Sequence, residues 1–311
     1  MTSRSEVKFL ATIFGCALGA HLVAQQADED FRIAGYLPEY RVDAVDSSQV
    51  AGLTDLIAFS VFPRSDGSLD AKAWPNGKLE KARNLAAKAK ARLLLAVGGW
   101  GRSKGFPGMA GNAPSRQRFV KELSAFCQTN GFKGVVYDWE FPRTPQEEAS
   151  FDHLLRETRR LFVPKRWTVE VAVNSTRPFP RDWTVKVDAV HVMSYDNGSR
   201  HATYEQAVKD LNNMALLGVP AGNLLLGLPF FGRQITNRNN VLTYAEIKQR
   251  FSPGKAQDEA GGFFFNGPAT LAKKVKLAKK RGLGGVMIWE IGQDAKGKDS
   301  LLEEVVAATR D

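Results

Sequence analysis

The chain has 311 residues, of which 43% are hydrophobic and 24% charged, and its formal net charge is +10 at pH 7. This is the composition of a globular protein, which excludes a disordered, collagen-like or disulfide-scaffold chain. The length suits one large α/β barrel or two ordinary domains, and the charge speaks to partners rather than to fold.

Residues 1–24 carry a basic start at Arg4 and Lys8, an apolar stretch from Phe9 to Val23, and a small residue at Ala24. That is the pattern of a cleaved signal peptide, so the chain is expected to be secreted or periplasmic, with residues 25–311 as the mature domain. Gly15, Gly19 and His21 interrupt the stretch, and a spanning helix needs about 20 apolar residues. Ile13-Phe14-Gly15-Cys16 resembles a lipoprotein cleavage box. Phe14 is bulky for that motif and the apolar run continues past Cys16, so lipid anchoring is the lesser expectation. Cleavage removes two bases and one acid, which leaves +9. Only Cys127 remains, in a helical run, and a buried thiol is expected there.

Beyond residue 30, short apolar runs alternate with helical patterns. Strands are predicted at Arg32–Leu37, Leu56–Phe62, Arg92–Val97, Gly134–Trp139, Thr168–Val173, Ala189–Tyr195, Asn223–Leu228 and Gly285–Trp289. Their near-continuous apolar character suits a parallel sheet covered on both faces. Helices are predicted at Lys78–Lys90, Ser115–Asn130, Pro145–Phe162, Tyr204–Leu217, Pro268–Arg281 and about Leu301–Ala308. The helix after the fifth strand is poorly marked, because Arg177–Trp183 carries two prolines. Eight βα units of this size predict a single (β/α)8 TIM barrel. A short insertion is expected between the seventh and eighth strands, within Gly232–Gly284, with one extra helix at Thr243–Phe251.

In such a barrel the chemistry sits at the C-terminal strand ends. Asp138 and Glu140 lie two apart at the end of the fourth strand, on one face and about 6.5–7 Å apart along it. Trp139 points the other way. Two inward carboxylates repel, so one is expected to hold a proton near neutral pH. A protonated carboxyl is what a glycosidic leaving oxygen requires of a general acid. The strand alone is equally compatible with rim carboxylates in a salt bridge.

Gly134-Val135-Val136-Tyr137-Asp138-Trp139-Glu140-Phe141-Pro142 resembles the fourth-strand signature of family 18 glycoside hydrolases, the chitinase family. Gly35-Tyr36, Gly98-Gly99-Trp100, Met193-Ser194-Tyr195-Asp196, Gly227 to Arg233 and Gly284 to Trp289 resemble further landmarks of that family, in family order. The resemblance spans about residues 32–294. It implies a retaining, substrate-assisted hydrolysis of chitin or a related N-acetylglucosamine-containing polysaccharide. Glu140 would be the general acid and then the base. Asp138 would hold the acetamido N–H, and Tyr195 would donate to the acetamido oxygen. Trp289 would floor the reacting sugar, with Met193 and Asp196 lining the same subsite. Trp100, Tyr36, Phe59 and Arg233, also at strand ends, are further candidate substrate contacts.

The chain departs from the family's Asp-Gly-x-Asp-x-Asp-x-Glu at two positions, with Lys133 at the first and Val136 at the second. Val136 lies one layer below Asp138, where family members carry an Asp that exchanges a proton with the Asp at position 138. Ala96 replaces the third-strand Ser that supports that deeper Asp. Packing is therefore expected in place of the deep polar network, with activity surviving, weakened, and a shifted acidic limb. Restoring Asp at 136 alone is not expected to help, because Ala96 cannot support it.

Other readings are less favoured. Lys273–Arg281 is the densest basic run, but it fits a solvated outer helix better than a nucleic-acid site. His153, His191 and His201 have no metal-ligand spacing. His191 shares the inward parity of Met193 and Tyr195, and a hydrogen-bonded core histidine is expected. No cofactor is expected, and the chain is expected to be a monomer. The serious rival is a carbohydrate-binding barrel without turnover, and a third reading exchanges chitin for peptidoglycan or an N-glycan core. The short seventh connection suggests an open groove and endo attack.

Overall fold

The structure, a computed structural model, describes residues 31–176 and 187–310. The leader, Cys16 and the weakly marked helix at 177–183 lie outside the described residues. The barrel strands are β1 (Arg32–Pro38), β2 (Asp55–Pro63), β3 (Arg92–Gly98), β4 (Gly134–Asp138), β5 (Thr168–Val173), β6 (Val190–Val192), β7 (Leu224–Pro229) and β8 (Gly285–Trp289). Each pairs in parallel with the next, and β8 pairs back onto β1, so the sheet closes. This is the predicted eight-fold barrel, and closure leaves its strands no open edge.

The period of two in the strands divides the core into two shells. On β4, Val135 and Tyr137 face the helices while Val136 faces the barrel interior. Tyr36, Phe59, Ala96, Val136, Tyr195 and Met287 share that interior. Outside it, Trp139 stacks on Phe106 at 5.0 Å and meets Phe151 edge-on at 5.4 Å. Turning Trp139 outward fixes Asp138 inward.

The outer helices include α1 (Asn76–Ala89), α2 (Phe106–Gly111), α3 (Ala113–Asn130), α4 (Pro145–Phe162), α5 (Tyr204–Leu216), α6 (Tyr244–Phe251), α7 (Pro268–Lys280) and α8 (Leu301–Arg310). Their ends follow from local chemistry. Asn112 caps α3 by accepting from the Ser115 N–H, and Gly131 ends it in a left-handed turn at φ 78°. Thr144 caps α4, with Glu147 and Glu148 in its first turn and Arg159 and Arg160 in its last. Cys127 on α3 is buried and free, and burial raises its thiol pKa.

Two expectations are corrected. The connection from β7 to β8 holds more than the predicted helix. Phe231–Gln234, Val241–Thr243, Glu259–Ala260 and Phe263–Phe264 form a small antiparallel sheet beside α6. Pieces of two to four residues give no readable alternation. The sixth strand also stops at Val192 rather than Tyr195. Its chain leaves the ladder where Ser194 N–H donates to the Val192 carbonyl at 2.8 Å. Among the described residues, no helix is long and apolar enough to cross a membrane.

Candidate active site

Asp138 ends β4, and Glu140 follows two residues on at the mouth. Their backbone is gripped from the neighbouring loop. Gly99 N–H donates to the Asp138 carbonyl at 2.7 Å, and Glu140 N–H donates to the Ser103 hydroxyl at 3.0 Å. Gly98 and Gly99 have φ of 102° and 103°. A Cβ on Gly98 would stand 2.5 Å from the Asp138 carbonyl oxygen, and one on Gly99 would stand 2.3 Å from the Phe59 ring. Only glycine permits both the backbone angle and the approach. The Ser60 hydroxyl donates to the Gly98 carbonyl at 2.6 Å, and Arg102 reaches Ser60 at 3.2 Å and Glu39 at 2.6 Å. Ser103, Arg102 and Glu39 were not found from the sequence. Their one signal is adjacency to Gly98-Gly99-Trp100 and to β1. Cis peptides join Phe59 to Ser60, Glu140 to Phe141 and Trp289 to Glu290, all at this end of the barrel.

The two carboxyls are shifted as their surroundings require. Asp138 is buried, and burial followed by the Glu140 charge holds its pKa well above the ordinary carboxyl range. Its Oδ1 is buried without a hydrogen-bond partner. Glu140 is pushed up to about 7, by burial first and by the Asp196 charge second, against a Trp100 backbone N–H that favours the ionised form.

Around the pair stands an aromatic wall. Trp289 meets Phe59 edge-on at 4.7 Å and Tyr36 at 5.6 Å, and Tyr36 meets Phe59 at 6.2 Å. Tyr195 is buried against Phe231 at 6.0 Å, with its hydroxyl 3.8 Å from the Met287 sulfur. Met193 is half-buried on the same inner cluster. Trp100, by contrast, is 80% exposed, as is Tyr40 at 58%, just past β1. Tyr40 was not among the sequence candidates.

Asp196 has a left-handed backbone, φ 62°. Arg233 grips its carboxylate through Nε and through Nη2, the latter at 2.8 Å, and Arg238 donates to its carbonyl at 2.6 Å. Arg233 and Asp196 are therefore partners, which the sequence did not show. His201 lies beneath, stacked on Phe231 at 4.9 Å and 3.7 Å from Asp196 Oδ1. Burial pushes its pKa down to about 4.

The interior below Asp138 differs from expectation in one respect. Val136 and Ala96 are fully buried register partners, so packing does fill that position. A polar network nevertheless persists one strand over. Val136 is also the register partner of Glu170 on β5. Glu170 receives Arg32 at 2.9 and 3.0 Å and His191 Nε2 at 2.7 Å, and His191 Nδ1 meets the Tyr36 hydroxyl at 3.0 Å. His191 is thus the hydrogen-bonded core residue that its parity predicted. Val136 thus stands beside a buried carboxylate, Glu170, that no local motif announces.

This sharpens the expectation for position 136. Val136→Asp would place a second buried carboxyl beside Glu170, as well as opposite Ala96. Like charges in one site cannot both ionise, and an unpaired buried carboxyl is costly. The variant is expected to melt earlier than the parent in a thermal unfolding scan. A variant that melts no earlier would show that this interior accepts a second carboxyl.

Comparison with known proteins gives the family and the fold. A model of glycosyl hydrolases family 18 matches residues 32–294. Chitinase 1 of Aphanocladium album is 24% identical over 272 residues, 68% of this chain and 64% of that protein. Chitotriosidase-1 of Mus musculus is 28% identical over 275 residues, 66% of this chain and 59% of that protein. The chain thus spans a little under two thirds of the length of these curated relatives. A GH18 chitinase from the chitin utilization locus of Flavobacterium johnsoniae shares the fold with a TM-score of 0.81 at 23% identity, covering 90% of this chain and 94% of that one. A GH18 chitinase variant from Cycas revoluta in complex with (GlcNAc)4 gives 0.77 at 21% identity, covering 90% and 100%. At these identities the structural likeness is one of fold.

Proposed function

The chain belongs to the glycosyl hydrolases of family 18, and on that premise we propose that it hydrolyses β-1,4 bonds of chitin or a related N-acetylglucosamine-containing glycan. The observation that carries the reading is a buried Asp138 beside a Glu140 pushed up to about 7, under an aromatic wall. Such a Glu140 is protonated at slightly acid pH, as a general acid must be.

The sugar's apolar face stacks on Trp289. Glu140 gives its proton to the glycosidic oxygen as the bond to the anomeric carbon breaks. The 2-acetamido oxygen closes onto that carbon from the other face and forms an oxazolinium ion. Asp138 accepts the acetamido N–H and offsets the positive charge, and Tyr195 donates its hydroxyl to the acetamido oxygen. Glu140, now ionised, takes a proton from water as that water opens the ring with retention. Met193 and Asp196 line this subsite, with Arg233 holding Asp196. Tyr36 and Phe59 back Trp289, and the exposed Trp100 offers a stacking face further along the groove. The mouth suits attack within a polymer. Residues 1–24 are proposed as a cleaved leader for export, and the chain is proposed to act alone.

Product analysis on chitin oligomers and on peptidoglycan, with Glu140→Gln as control, tests the reading. Release of reducing ends by the parent and not by the variant is expected. Retention of oligomers without cleavage would instead make the barrel a lectin.

The pH profile follows from the same shifts. Glu140 must carry a proton for the first step, so kcat/KM is expected to fall as pH rises through about 7. The Asp196 charge helps to raise Glu140. Asp196→Asn should therefore move this basic limb to lower pH, and an unmoved limb would separate Asp196 from Glu140.

A further inference from the structure

Tyr195 sits on a stretch of chain that has already left the barrel sheet. β6 ends at Val192, and the Ser194 N–H turns back onto the Val192 carbonyl at 2.8 Å. The aim of Tyr195 therefore depends on what holds this turn rather than on a strand ladder. Ser194 and Tyr195 point opposite ways. Tyr195 packs inside the barrel against Phe231, while the Ser194 hydroxyl turns out toward α5.

There it meets Asp210, a fully buried acid on α5. Ser194 Oγ donates to Asp210 Oδ2 at 2.6 Å. Asp210 Oδ1 accepts from the Ser175 hydroxyl and from Gln206 Nε2, the latter at 2.7 Å. Ser175, also buried, lies just past β5, so one acid ties the mouth ends of β5 and β6 to a single helix. A buried acid with both oxygens engaged resists displacement, because each broken contact leaves a polar atom unpaired. The far end of the same loop is fixed separately. The Ala202 carbonyl accepts from Lys274 Nζ and from Asn266 Nδ2, each at 2.8 Å, and both side chains are buried. Cutting the Ser194 link therefore frees the stretch around Tyr195 and not the loop as a whole.

Resting on the hydrolase reading above, we propose that Asp210 is a positioning residue for the reaction, which through Ser194 aims the Tyr195 hydroxyl at the acetamido oxygen of the bound sugar. Asp210 itself touches no substrate. The Tyr195 hydroxyl lies 3.8 Å from the Met287 sulfur, a weak acceptor, which leaves its hydrogen to a bound acetamido oxygen. That oxygen is the nucleophile of the first step. Its orientation governs ring closure more than binding, which the wall of Trp289, Tyr36 and Phe59 supplies.

Ser194→Ala removes one hydroxyl and leaves Asp210 with Ser175 and Gln206, so it disturbs the fold least. On chitin oligomers its kcat is expected to fall by about 10–100-fold, with KM within about twofold of the parent. Asp210→Asn turns one accepting oxygen into an amide donor and should lower kcat in the same direction. Tyr195→Phe supplies the deciding background. In it, adding Ser194→Ala should change kcat by less than about twofold, because no hydroxyl is left to aim. A loss of folded protein would instead lower kcat by the same factor in both backgrounds. Equal losses in the two backgrounds, or a parental kcat in either Ser194→Ala or Asp210→Asn, overturn the proposal. A parent that binds oligomers but never cleaves them would overturn the hydrolase reading instead. The same cycle is then read in oligomer Kd, where Ser194→Ala should weaken binding only while Tyr195 keeps its hydroxyl; equal weakening in both backgrounds overturns the proposal there.

Discussion

Glu140→Gln is expected to lower hydrolysis of chitin oligomers by about 10²–10⁴-fold while leaving their binding nearly intact. The glutamine keeps the side chain's shape and can still receive the Trp100 backbone N–H. It has no proton of suitable acidity for the leaving oxygen, and it cannot take one from water in the second step. Both halves of the reaction therefore suffer from one change. Binding is retained because the aromatic wall of Trp289, Phe59 and Tyr36 is untouched. Reducing-end release measures the first effect, and quenching of tryptophan fluorescence by oligomers measures the second. A variant that hydrolyses as fast as the parent would end the assignment of Glu140. A variant that binds no longer would point to a collapsed site.

The parts of this site legible in the sequence were those tied to strand period. Asp138 and Glu140 could be placed together because β4 alternates and Trp139 needs an outer, apolar partner, which Phe106 and Phe151 supply. His191 could be placed inward by the same parity. What sits opposite an inward residue was not legible, because neighbours across a barrel are set by register and shear rather than by sequence distance. Arg32 meets Glu170 across 138 residues of chain, and Tyr36 meets His191 across 155. That is why the interior was expected to be packed and proved to be partly ionic. The small sheet after β7 escaped for a different reason. Its strands of two to four residues are held by Phe263 and Phe264 pairing with Gln234 and Arg233, not by any pattern long enough to read.

The ionic floor makes Arg32 a residue whose loss should cost the fold heavily. Arg32 bridges two buried carboxylates, Asp55 at 2.9 Å and Glu170 at 2.9 Å. Burial disfavours its own charge, and the two acids more than compensate. Arg92 still reaches Asp55 at 2.6 Å, so that acid keeps a partner when Arg32 is removed. Among the described residues, Glu170 then keeps only His191. Arg32→Met fills the space but leaves a buried carboxylate without its cation, which should destabilise the protein by about 3–5 kcal/mol at neutral pH. For a chain of this size that corresponds to a fall of roughly 5–15 °C in melting temperature.

The sign of the pH dependence separates this cause from lost packing. In the parent, Glu170 titrates below its unfolded value of about 4.3, so its pairing stabilises the fold above that pH and the benefit fades as pH falls below it. In the variant, burial raises Glu170 instead, and protonation relieves it. The stability gap between parent and variant should therefore be widest at neutral pH and above, should begin to narrow as pH falls through the variant's raised Glu170 value, which lies above about 4.3, and should go on narrowing toward the parent's lowered one. Denaturant unfolding of both proteins across that range measures the gap. A gap that stays constant with pH would mean that the methionine merely packs badly and that the Arg32 charge does not hold Glu170 ionised.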